Sequence, residues 1–220
     1  MHSAITRAFP QSEQEKVAAA VREAEKLTSG EIVPYVVGQS DHYESAEWRA
    51  GFILWCIVVI ALWLLPAATG AWMRVGALTV AACSLLALGA GMLLARSAGP
   101  VRRLFAGRHL MARRVEQRAA EAFISEEVFA TPKRTGILIF LSLLERRVLV
   151  IGDAGINSRV APGSWDGIID GVVAAIGRGL PADGLVEAIR SCGALLAAHG
   201  VSREATDADV LPDNLRIRKD

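Results

Sequence analysis

The sequence predicts an α/β fold: a small mixed β-sheet flanked by helices, with a two-helix transmembrane hairpin inserted into it. Three observations lead there. Residues 50–95 carry one charged side chain, Arg74, in 46 positions, whereas the rest of the 220-residue chain holds the other 46. Short apolar runs of strand character lie on both sides of that stretch, at Glu31 to Val37 and Gly136 to Leu143. Segments with helical apolar spacing come before the first run and after the second. Residues 11–48 and 105–200 are therefore expected to form one discontinuous α/β domain. Residues 50–95 would form the hairpin and residues 201–220 a polar tail, poorly ordered at its tip.

The elements follow in order. Ser12 to Leu27 reads as a helix: Ser12 and Glu15 have capping-box spacing, and Val17, Ala20, Val21, Ala24 and Leu27 repeat on one face. Gly30 is its end signal. Glu31 to Val37 (EIVPYVV) reads as a strand. Pro34 cannot donate to a ladder, so this strand is expected at an edge, or with Pro34 turned from its neighbour. Residues 100–129 read as helix, with Pro100 in the first turn and Met111, Val115, Ala119, Ala122 and Phe123 on one face. Gly136 to Leu143 is apolar at nearly every position, as in a strand buried on both faces. Glu145 and Arg146 make a turn into a strand from Arg147 to Ile151. Two helices close the domain, from Trp165 to Ile176 with Ser164 as cap, and from Ala182 to His199 before Gly200. The strand–helix–strand passage makes the first two strands parallel.

A spanning helix needs about 20 apolar residues. Val75 to Ala95 has 21 without a charge, and Ala50 to Leu65 has 16, extended by Pro66, Ala67 and Ala68. Trp48, Trp63 and Trp72 lie near the span ends and the turn, where indole rings favour the water–lipid boundary. Pro66 and Gly70 bracket the break between spans. Arg96, Arg102, Arg103, Arg108, Arg113 and Arg114 follow the second span, against Arg74 alone in the turn. The positive-inside rule then places both termini and the domain in the cytoplasm. The arginine flank is also expected to meet anionic lipid. It lacks the interleaved aromatic residues of a nucleic-acid surface, and the net charge of +1 calls for no strongly charged partner.

Chemistry-bearing motifs are few. Cys56, Cys83 and Cys192 are far apart in sequence and read as small buried apolar residues. No CxxC, GxSxG, Walker, HExxH or GxGxxG pattern is present, and no nucleophile–base pair follows from spacing. The first residues lack an apolar core, so no cleaved signal peptide is expected in them. Asp41, His42 and Glu44 read as a solvated linker before the first span, although a His between carboxylates also invites a metal. His2, His109 and His199 have no sequence partners.

Topology brings one set of residues together. If the first two strands are parallel and the third antiparallel, Glu31, Arg134, Thr135 and Asp153 share one sheet edge, on the side away from the bilayer. Two carboxylates with an arginine could hold a divalent cation such as calcium or magnesium, with Glu31 and Asp153 as ligands, or an anionic group. They could equally be an ion-pair network. Gly152 and Gly155 serve the turn around Asp153, and Asn157 and Ser158 are further ligand candidates.

The element order and its motifs resemble the TPM-domain family, which includes thylakoid-lumen and photosystem-repair proteins. The residues are Thr28-Ser29-Gly30-Glu31-Ile32-Val33, Thr135-Gly136-Ile137-Leu138-Ile139-Phe140, Glu145-Arg146-Arg147-Val148 and Gly152-Asp153-Ala154-Gly155-Ile156. The inserted hairpin looks like that of a membrane-anchored bacterial variant. The resemblance implies an α/β sandwich with a small mixed sheet. It also implies a role of a kind known among members: assembly or repair of membrane complexes in some, acid phosphatase activity or divalent-metal binding in others. One departure bears on the second. Soluble members commonly have Asp-Asn-Gly before the second strand, where this chain has Arg134-Thr135-Gly136.

The expectation is thus a membrane-tethered, cytoplasm-facing interaction module that aids assembly or maintenance of a membrane complex. Its partners would be the lipid bilayer and a membrane protein, not nucleic acid. The alternative is a phosphatase-like or divalent-metal-dependent hydrolase working at the Glu31/Arg134/Asp153 edge.

Overall fold

The computed structural model describes residues 2–69, 76–201 and 211–218. The expected Gly70, Trp72 and Arg74 of the turn, and Val75 of the second span, lie outside these, as does most of the tail. By its internal contacts the chain forms two compact units, residues 1–40 with 113–220, and residues 41–112.

The first unit is a sheet between helical layers. Its elements are α1 (His2–Ala8), α2 (Gln11–Glu25), β1 (Glu31–Val37), most of α6 (Arg108–Ser125), β2 (Gly136–Ser142) and β3 (Arg147–Gly152). A short α7 (Ala154–Asn157), α8 (Asp166–Gly177), α9 (Pro181–Ala198) and β4 (Arg216–Arg218) complete it. Among the described residues the strands run in the order β3-β2-β1-β4. β1 is parallel to β2 with Glu31 opposite Gly136, and β2 is antiparallel to β3 with Ile137 opposite Gly152. The mixed sheet and both pairings are as the sequence predicts.

Two cores result from the alternation of side chains in β1 and β2. Ile32, Val36, Ile137, Ile139 and Leu141 pack on one face with Val17 and Val21 of α2 and Leu185, Ile189 and Leu196 of α9. Val33, Tyr35, Leu138 and Phe140 pack on the other with Val115, Ala119 and Ala122 of α6. Tyr35 and Phe140, opposite each other in the register, stack at 5.7 Å. With helices on both faces, every residue of β1 and β2 is buried, which explains their continuous apolar runs.

The structure corrects several boundaries. β4 was not expected: Arg216–Arg218 pairs in parallel with Tyr35–Val37, so part of the polar tail is sheet and β1 is an inner strand. Pro34 still fits. Ile32, on the same side of the strand, gives its N–H to Glu25 Oε1 at 2.9 Å and not to β2, and β4 pairing begins only at Tyr35. The expected helix over 100–129 is two helices, α5 (Gly99–Ala106) and α6, because Gly107 adopts φ +81° between them. Helix α2 starts at Gln11 after Pro10, so Ser12 is inside the first turn and caps nothing; Gln14 Nε2 instead reaches Phe9 O at 2.8 Å. Ser164 likewise lies in a 3-10 turn, Pro162–Trp165, ahead of α8.

The second unit holds α3 (Glu44–Thr69), α4 (Ala77–Ser97) and α5. Glu44–Leu64 and Ala77–Ser97 are each 21 residues, with mean hydropathy of 1.7 and 2.1, long and apolar enough to cross a membrane. Helix α3 runs through Pro66 to Thr69, so Pro66 does not end the first helix. The two helices cross closely. A side chain on Gly91 would put its Cβ 2.7 Å from Ala50 O, and one on Gly51 would meet Leu88 O at 2.9 Å. Ala87, Gly91 and Ala95 form the buried stripe of α4, the small-residue spacing by which helices approach in lipid. Many apolar side chains of the two helices, Phe52, Ile57, Leu78, Leu85 and Leu93 among them, are exposed.

Candidate functional site

The sheet end at Glu31 and Gly136 gathers the four predicted residues on adjoining strand termini. Arg134 ends a tight turn from Thr131, with its N–H on Thr131 O at 3.0 Å and φ +55°. Its guanidinium grips Asp153 with two hydrogen bonds, Nε to Oδ2 at 2.6 Å and Nη2 to Oδ1 at 2.9 Å. It also lies over the Phe129 ring at 5.9 Å. The hydrogen bond to Asp153, and then its negative charge, hold the Arg134 pKa above its ordinary value. Asp153 is buried and Arg134 half-exposed.

Asp153 serves its own chain further. Oδ1 accepts the Ala154 N–H at 2.7 Å, capping α7, while its backbone N–H bonds Gly136 O at 2.9 Å. Glu31 is buried; its N–H bonds Thr135 O at 3.2 Å and its Oε2 accepts the Leu211 N–H at 3.2 Å. Thr135 gives its hydroxyl to Ser29 O at 2.9 Å and its N–H to Thr131 Oγ1 at 2.8 Å. Two glycines make this closeness feasible: a Cβ on Gly136 would meet Val128 O at 1.9 Å, and one on Gly155 would meet Lys133 O at 2.4 Å. Gly152 similarly leaves room for Ile156. Asn157 turns its amide to Gly152 O at 2.7 Å and Ser158 its hydroxyl to Gly155 O at 3.0 Å.

The four residues thus share one sheet edge, and their polar groups are engaged by neighbouring strands, the α7 turn and the Leu211 backbone. A calcium ion asks for six to eight oxygen ligands and magnesium for an octahedral set. Among the described residues no group of three or more His, Cys, Asp or Glu is placed to hold a metal. Both Asp153 oxygens already accept from the Arg134 fork, whose charge opposes a cation. The donor set fits an ion pair and a helix cap better than a divalent ion. At the linker, Asp41 Oδ1 accepts the His42 backbone N–H at 2.7 Å.

The opposite sheet end holds a polar cluster that sequence reading missed. Ser40 Oγ and Ser142 Oγ are 3.0 Å apart, Ser142 donates to Glu145 Oε2, and Glu145 Oε1 accepts the Ser40 N–H at 2.9 Å. Ser142 and Glu145 are buried. Glu145 ties the β2–β3 turn to the end of β1. A serine closing an apolar strand and followed by a glutamate in the turn was the available signal. A cleft of about 430 Å³ lies away from the predicted edge, between α8 and α9, lined by Gly167, Gly171, Arg178, Asp183 and Glu187.

No family model matches the chain, and no curated protein matches it. A solved structure does: the NMR structure of the BA42 protein from the psychrophilic bacterium Bizionia argentinensis sp. nov.. The two share a TM-score of 0.56 and 19% identity, over 94% of this chain and 93% of that one. At that identity the likeness concerns the fold.

Proposed function

We propose that this chain is a membrane-tethered interaction module of TPM-domain type, held at the cytoplasmic face of a bacterial inner membrane, where it aids assembly or maintenance of a membrane complex. The carrying observation is the pair of 21-residue apolar helices inserted between β1 and β2, whose outer side chains face away from protein. Such a surface is stable in lipid and costly in water. The motifs at Thr28–Val33 and Thr135–Phe140 support the family reading, since they form the parallel strand ends and their flanking turns. The engaged state of Glu31, Thr135 and Asp153 supports an interaction role over hydrolysis: these groups hold the fold's edge together and leave no activated nucleophile among themselves. The arginine flank after α4 supports cytoplasmic termini.

The test is to extract the full chain, tagged after Asp220, from bacterial membranes in mild detergent after brief in-cell crosslinking. A reproducible membrane-protein partner is expected, absent when the hairpin is replaced by an unrelated one. Recovery of a partner-free species only, or a tag that reports export, would overturn the reading.

A further inference from the structure

The second unit carries a groove that its crossing helices do not fill. About 180 Å³ of space lies against Ala50, Ile53, Ile57, Gly91, Leu94 and Phe105, with almost no polar atoms in its wall. It is smaller than the usual pocket for a drug-sized molecule, and suits a thin aliphatic chain. The groove has one charged end. Arg49, Ile53 and Ile57 succeed each other at four-residue spacing on one stripe of α3. The Arg49 guanidinium is exposed and gives one hydrogen bond, Nη1 to Phe105 O at 3.1 Å, which fixes it beside a groove residue. The other N–H groups of that fork match the oxygens of a phosphate. The negative carbonyl end of α4, which would repel a phosphate, is neutralised: buried Arg102 donates to Ala95 O at 3.2 Å and to Arg96 O. Glu44 and Glu47 are on the first turn of α3, and Glu47, two residues from Arg49, lies off its stripe. Trp48 is 60% exposed next to Arg49, as an indole at a headgroup boundary would be.

We propose that the base of the hairpin binds one anionic phospholipid, with part of an acyl chain in this groove and the phosphate on Arg49. The proposal rests on the membrane reading above and adds a specific lipid to it. It is tested by native mass spectrometry of the full chain, released from micelles holding equal amounts of phosphatidylglycerol and phosphatidylcholine with the same acyl chains. The expected result is one retained lipid, with phosphatidylglycerol preferred about fivefold or more, as one well-placed basic side chain near an anionic lipid provides. Arg49→Gln should bring the ratio near one. Val101→Phe, and Leu94→Phe from the other wall, should lower retention of both lipids, while Leu86→Phe on an exposed part of α4 should change neither. Equal retention of the two lipids by the wild type, or an unchanged preference in Arg49→Gln, overturns the proposal. A chain that stays in the membrane fraction yet shows no preference sinks this inference alone. A chain recovered without detergent in the soluble fraction sinks the membrane reading as well.

Discussion

Asp153 has three tasks at once: it accepts the Arg134 fork, caps α7 through the Ala154 N–H, and bonds the end of β2 through its own N–H. Asp153→Ala should lower stability by about 1–2 kcal/mol, since a lost cap in a buried position strands a donor. Arg134→Ala should cost less, because its guanidinium is half in water and screened. Thermal unfolding of the two single variants and the double variant in detergent measures this, and a sub-additive double variant is expected. If Asp153→Ala raised stability, the capping account would fail. Cys192 gives a second prediction. Burial pushes its thiol from an ordinary 9.0 up to about 12. The folded state therefore holds a proton that the unfolded chain releases first. The resulting stability is intact below pH 9 and is lost as pH rises from 9 toward 12, by roughly 1 kcal/mol at pH 10. Cys192→Ala should lack this component of the alkaline decline, as denaturation at pH 8 and pH 10 would show. The positions of Glu31, Arg134, Thr135 and Asp153 were legible because strand direction alone brings those termini together. Their roles were not: the Glu31 carboxylate is met by Leu211 N–H and Thr135 by Ser29 O, partners that no local pattern announces.

At the level of elements, β1, β2 and β3 stand out in the sequence because apolar runs of strand length bounded by turn residues have few other uses. β4 does not. Its Arg-Ile-Arg sequence joins the sheet through backbone pairing with Tyr35–Val37, and carries no apolar run to mark it. The break between α5 and α6 was hidden for the opposite reason: Gly107 sits in a continuous helical pattern, and only its left-handed φ shows that the helix stops. The α3–α4 crossing makes a prediction with its own control. Gly91→Leu should force the helices apart and lower the melting temperature in detergent, since its Cβ would lie 2.7 Å from Ala50 O and Gly51 Cα. Gly89→Leu, two residues away with nothing within 4 Å, should leave it unchanged. Equal effects of the two substitutions would rule out the close crossing.

On the scale of the whole molecule, the chain's division predicts that the hairpin is dispensable for folding of the α/β unit. Residues 1–40 joined to 113–220 by a short polar linker should give a soluble protein with a cooperative thermal transition, because both core layers draw only on residues within those limits. A molten or aggregated product would show that the hairpin contributes to the unit's stability. The central place of β1 also dictates an order of events during synthesis. β1 is made before both of its neighbours: β2 follows only after the hairpin, and Arg216–Arg218 come at the far end of the chain. While the ribosome is producing α3 and α4, β1 has neither of its strand partners to pair with. If the hairpin enters a bilayer as it is made, on the reading proposed above, it does so before the sheet around β1 can close. A chaperone that shields Glu31 to Val37 during that interval would act on the strand with which both β2 and β4 must later pair.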